Sequence, residues 1–264
     1  MNYSEIKDVK TESIERALQP NYPLVVGRKG TGKTAIFRRI LEDSQQASIV
    51  VLSPSILKGD RSWVISPEGF KTIEQILNNT KKSWRDFWLL QTCLACHLSW
   101  DADKIQPDLA LSNVLEVSLE TELEVIRCLE RLLDISSIGL LARDWLTRLD
   151  RARSSMVILL FDGLDTGFGN TQFDRERRTK AIEGLLSLIN DLGEQLKCLK
   201  FKVLLREDIW RKLRFENKSH FFGRSVTLQW NNIVDFLKVP IEQALQSASF
   251  QELVQSIDRG RLLS

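Results

Sequence analysis

The chain has 264 residues, enough for one large α/β domain or for such a core with a small satellite. Its composition, 43% hydrophobic, 27% charged and 8% aromatic, is that of an ordinary globular protein rather than a disordered or fibrous one. With 37 basic and 35 acidic residues the formal charge is +2, so no global field argues for nucleic acid or an anionic membrane as a partner, and no apolar run approaches the roughly 20 residues that cross a bilayer.

The opening Met1–Glu5 lacks the basic-then-apolar layout of an export signal, so the expected location is the cytoplasm and Cys93, Cys96, Cys128 and Cys198 read as reduced thiols. In chain order, Ser13 to Leu18 predicts a short helix that Pro20 and Pro23 end before the apolar run Leu24-Val25-Val26, a candidate first strand. A helix is expected over Ala35 to Glu42 from the spacing of Ile36, Ile40 and Leu41, and a β-branched strand over Ser48 to Leu52.

From about Lys58 to Ser155 the pattern is mainly helical. It opens with a capping serine, a first-turn proline and an early acid at Ser66-Pro67-Glu68. It continues through Trp84, Phe87, Trp88 and Leu94, then Leu119, Leu123, Ile126, Leu129 and Leu133, at spacings of three or four, and reads as a helical insertion. The core resumes with a strand at Met156 to Phe161, a helix from about Asp174 to Leu196, a strand at Phe201 to Leu205 and a last strand near Ser225 to Leu228. Short helices are expected beyond Trp230. Five strands alternating with helices imply an α/β fold with a mainly parallel, helix-covered sheet. The expected organisation is a core over 1–230, with the insertion at 58–155, and a C-terminal helical segment over 231–264.

The chemistry concentrates in two places. Gly27-Arg28-Lys29-Gly30-Thr31-Gly32-Lys33-Thr34 matches G-x-x-x-x-G-K-[ST], with a strand before it and a helix after it, the context that the phosphate-cradling motif requires. Glycines let the backbone curl so that several N–H groups point inward, Lys33 is of a length to reach the β and γ phosphates of a nucleotide, and the Thr34 hydroxyl is able to ligate Mg²⁺. The strand Met156 to Phe161 ends abruptly on Asp162-Gly163-Leu164-Asp165, and a carboxylate at such a strand tip holds Mg²⁺ through its water shell.

This pairing of a glycine loop with an apolar strand ending in D-G-L-D resembles the STAND class of signalling NTPases, including NACHT-type and KAP-like proteins and their bacterial P-loop ATPase relatives. The resemblance spans about Leu24 to Trp230. It implies a P-loop NTPase three-layer sandwich in which another strand, here Phe201 to Leu205, separates the glycine-loop strand from the Asp162 strand. Arg206, leaving that strand, then corresponds to the polar γ-phosphate sensor; the other reading of Arg206 is an arginine paired with nearby carboxylates. Asp165 is the corresponding candidate base for hydrolysis, although Thr166 follows it where NACHT-like proteins commonly place a further acid; its other reading is a turn or helix cap.

For this class the resemblance implies an ATP-dependent conformational switch in signalling or defence against phage, working as a homo-oligomer or with an effector protein. Alternatives are a nucleotide-binding scaffold without appreciable turnover and an AAA-like remodeller. Gly163 to Asn170 reads as a mobile loop, and Arg177 or Arg178 as an arginine finger for a neighbouring subunit or as part of a solvated first turn. Cys93-Leu94-Ala95-Cys96-His97 has the spelling of a haem attachment site but lies in an amphipathic stretch and reads as a helix face. Asn217-Lys218-Ser219-His220 has histidine where a guanine-reading motif needs an acid, which favours ATP over GTP.

Overall fold

A computed structural model describes residues 12–42, 47–51, 65–99, 121–165 and 167–229. The expected helices beyond Trp230 lie outside them. The described elements are α1 (Glu12–Leu18), β1 (Leu24–Gly27), α2 (Lys33–Glu42), β2 (Ala47–Val51), α3 (Pro67–Thr80), α4 (Trp84–Ser99), α5 (Glu122–Asp134), α6 (Ile138–Arg151), β3 (Met156–Phe161), α7 (Gln172–Leu192), β4 (Leu199–Arg206), α8 (Glu207–Lys212), a 3₁₀ turn at Lys218–Phe221, and β5 (Ser225–Leu228).

The strands form one five-stranded sheet in the order β2-β3-β4-β1-β5, with every pairing parallel. Side chains alternate across its two faces, as the two-residue period of a strand demands. Leu24, Val26, Leu159, Phe161, Phe201, Val203 and Leu205 join a large apolar cluster with α3 to α7, while Val25, Ile158, Leu160 and Leu204 join a smaller one with Ile36, Phe37 and Ile40 of α2 and Ala17 of α1. Helices therefore cover both faces, and the described helices of the expected insertion, α3 to α6, lie on one of them.

Local sequence explains the helix starts. Ser66 caps α3, its hydroxyl accepting from Gly69 N at 3.0 Å with Pro67 behind it, while Thr121–Glu124 and Thr171–Asp174 form capping boxes at α5 and α7. Helices α4 and α7 pack closely because Gly184 has no side chain: a Cβ there would lie 2.8 Å from both the Arg85 nitrogen and the Trp84 carbonyl carbon. The Trp88 indole adds a hydrogen bond to Ala181 O at 2.7 Å. Among the described residues no helix is long and apolar enough to cross a membrane.

Two polar side chains tie the layers together from inside. Asp150, 3% exposed near the end of α6, accepts from the backbone nitrogens of Lys197, Cys198 and Leu199 at 2.8, 2.7 and 2.7 Å, so that the last insertion helix caps the entrance of β4. Lys202, fully buried in β4, donates to the carbonyl oxygens of Ala17, Gln19 and Tyr22 at 2.9, 2.6 and 2.7 Å. Burial pulls its ammonium down to about 7. Its position at the C-terminal end of α1, where carbonyls lack helical partners, suits a cation.

Candidate phosphate-binding site at the carboxyl edge of the sheet

The chain leaves β1 through α2 on one face and runs to β2 at the far edge, whereas it leaves β4 through α8 and passes over β1 to reach β5. Adjacent strands whose connections diverge open a crevice beyond their carboxyl ends, the place where ligands bind in open α/β sheets. The residues singled out from sequence are grouped around it.

Gly27 ends β1, and Arg28 to Gly32 form a tight loop before α2, which begins at Lys33. Gly30 and Gly32 have φ of 85° and 93°, a left-handed geometry that favours glycine, and a side chain added at either would meet no atom within 4 Å. Within the loop Thr31 Oγ1 donates to Arg28 O at 2.9 Å. Lys33 Nζ turns back on the same loop and donates to Gly27 O and Arg28 O, both at 2.8 Å. Burial lowers the Lys33 ammonium below its ordinary value, against the opposing pull of Asp165 and then Asp162. Lys29 and Thr34 are exposed.

Asp162 follows β3 directly. Burial raises its carboxyl above the usual range and Asp165 adds to this, while a Gly163 backbone hydrogen bond and Lys33 pull the other way. Because β4 lies between β1 and β3, Arg206 at its carboxyl end stands in the same row. Its guanidinium pairs with Asp208 through Nε and Nη2, both at 3.0 Å, and Nη1 reaches Asp165 Oδ2 at 3.4 Å. Arg178 Nη1, from α7, holds the backbone oxygen of Asp165 at 2.9 Å. Arg28 joins Glu207 at 3.0 Å, linking the loop to the first turn of α8.

The donor set fits a magnesium polyphosphate. The loop and the start of α2 offer backbone N–H groups and a lysine, with open space over the glycines, and Thr34 and Asp162 offer the hard oxygens that Mg²⁺ takes alongside phosphate and water. Among the described residues no group of three or more His, Cys, Asp or Glu side chains is arranged to hold a metal ion by itself.

Other expectations are modified. The loop after Asp162 is anchored rather than loose: Phe168 is fully buried and stacks on Phe70 of α3 with ring centroids 4.0 Å apart. Arg177 is not part of a solvated turn, being buried and paired with Glu74 and Asp174 at 2.8 Å each, and Arg178 is engaged within its own chain. The Lys218 ammonium donates to Trp210 O and Leu213 O at 2.8 Å, stapling the end of α8. Cys93 and Cys96 are fully buried in α4, where burial pushes both thiols well up. Sequence reasoning missed α8, Asp150, Lys202 and the anchoring role of Phe168; a lone phenylalanine between two glycines was the one signal for the last. Comparison of the chain with protein-family models, with curated proteins and with solved structures finds no match.

Proposed function

We propose that the chain is a P-loop NTPase that binds ATP with Mg²⁺ on Gly27–Thr34 and uses it as a conformational switch of the STAND kind. The observation that carries this reading is the convergence of Lys33, Asp162, Asp165 and Arg206 at the carboxyl ends of three adjacent parallel strands, where the connections diverge. On binding, the loop amides take the phosphates and Lys33 exchanges two carbonyl acceptors for phosphate oxygens. Thr34 and Asp162 would hold Mg²⁺, which would supply positive charge against that of the phosphates. Arg206 leaves Asp208 and Asp165 for the terminal phosphate, and Asp165 is then free to orient or deprotonate the attacking water.

The Arg206–Asp165 contact also favours a second reading: if the arginine keeps its carboxylates, nucleotide is held without turnover and the chain acts as a scaffold. Signalling or anti-phage defence, and assembly as a homo-oligomer or with an effector protein, belong to this proposal through the STAND resemblance alone.

Binding of a fluorescent ATP analogue and phosphate release, with wild type beside Lys33→Ala and Asp165→Ala, test it. Binding lost with Lys33 and turnover lost with Asp165 support the hydrolysing switch. Lys33-dependent binding without turnover supports the scaffold, and a wild type that binds no better than Lys33→Ala refutes both.

A further inference from the structure

The segment between Asp165 and α7 is anchored in the helical insertion. Phe168 lies in the large apolar cluster, stacked on Phe70 of α3 at 4.0 Å and 20°, with Trp84 of α4 edge-on at 6.3 Å. Directly after the segment, Asp174 accepts from Thr171 N at 3.0 Å and from Arg177 Nη1 at 2.8 Å. The same guanidinium donates through Nε to Glu74, again on α3, at 2.8 Å. Arg177 is 6% exposed, so its charge has been taken out of water and depends on both carboxylates. Gly169, at φ 92°, lets the chain turn between these anchors, and the Asp174 carboxyl group fills the space where a Cβ would stand.

One face of α3 thus holds the chain beyond Asp165 twice, by a ring stack at Phe168, three residues on, and by a buried ion pair to Arg177, twelve residues on in α7. A shift of α3 would act on the chain beyond Asp165 through these two contacts, because close-packed rings and paired buried charges pass strain on rather than absorb it. Asp165 is also held from the other side, its backbone oxygen by Arg178 and its carboxylate by Arg206.

We propose that Phe168 and Arg177 are positioning residues through which α3 sets the Asp165 segment, so that whatever moves the helical insertion controls turnover rather than nucleotide affinity. The proposed nucleotide contacts lie on the loop after β1 and on α2, whereas the ring stack and the ion pair from α3 fall on the chain that follows the candidate base. The coupling runs both ways, as linkage between two sites requires: nucleotide engaged at Asp165 changes the ordering of α3. This inference rests on the proposed nucleotide site for its functional half only.

The test uses the full chain with Phe70→Leu, Phe168→Leu and Glu74→Gln. Hydrogen exchange of a peptide covering residues 163–170 is measured first, without nucleotide. Protection at least tenfold lower in Phe70→Leu and Glu74→Gln, substitutions confined to α3, is the expected result; unchanged protection in both overturns the coupling whatever the site binds. With Mg·ATP added, Phe168→Leu is expected to bind within about twofold of wild type while phosphate release falls at least tenfold, and Phe70→Leu combined with Phe168→Leu to lose no more than either alone. A wild type that binds without turnover is read instead by exchange in α3, which should change on nucleotide addition in wild type and not in Phe168→Leu. Equal loss of affinity and turnover, or neither, refutes the functional half, while absence of nucleotide binding in wild type refutes the site and leaves the exchange result standing.

Discussion

Removing the Asp150 carboxylate should be among the most destabilising single changes in this chain, although the residue is far from the candidate site. Three backbone N–H groups point at it, and that of Leu199 is buried. Hydrogen bonds to a charged group contribute about 1.5–3 kcal/mol each, and a buried N–H left without a partner costs about 1–3 kcal/mol. In Asp150→Ala the Leu199 nitrogen bears the full cost, whereas water reaches the partly buried Lys197 and Cys198 nitrogens, so the sum is roughly 3–5 kcal/mol. Asp150→Asn retains an accepting oxygen but turns an NH₂ toward the donors, and should cost about half as much. Urea unfolding followed by tryptophan fluorescence measures the loss, and an unchanged denaturant slope shows that the same transition is compared. A loss below about 1 kcal/mol in Asp150→Ala would refute the idea that this carboxylate registers β4 against α6.

Lys202→Met tests a different balance. With its ammonium pulled down to about 7, below the ordinary 10.5, the unfolded chain binds more protons than the folded one between those values. Wild type should therefore gain stability relative to the variant as pH rises above 7, by about 1.4 kcal/mol per unit; a flat difference from pH 6.5 to 9 would show that the three carbonyl oxygens keep the ammonium charged. Gly184→Ala must push α4 from α7 and should cost about 1–3 kcal/mol in the same urea assay, with no loss if the helices slide freely. Arg206→Ala should narrow the preference for ATP over ADP at least fivefold in competition binding, and an unchanged ratio would remove Arg206 from the terminal phosphate.

The turn from β1 into α2 was legible because its left-handed backbone at Gly30 and Gly32 demands glycine, and the buried strands because apolar runs flanked by turns have few other uses. Lys202 was not. In Leu199-Lys200-Phe201-Lys202 the alternation reads as a strand with one wet face, whereas the strand is central and Ala17, Gln19 and Tyr22 turn their carbonyls toward it from about 180 residues away. Asp150 escaped for the same reason, since a helix-terminal acid has its usual role in solvent and its partners here come 47 to 49 residues later. The order of the strands, and hence the row formed by Asp165 and Arg206, is a property of tertiary pairing that no single segment encodes.

The insertion of β4 between β1 and β3 has a consequence in time. Leu24 pairs with Val203, so β1 is synthesised long before the strand it must lie against. At about 5–20 residues per second the wait is on the order of 10 s or more. During that interval the glycine loop has a strand behind it but no sheet. The proposed phosphate cradle can therefore be completed only once β4 has been synthesised and docked, which is after the chain of α6, the helix that caps β4, has emerged.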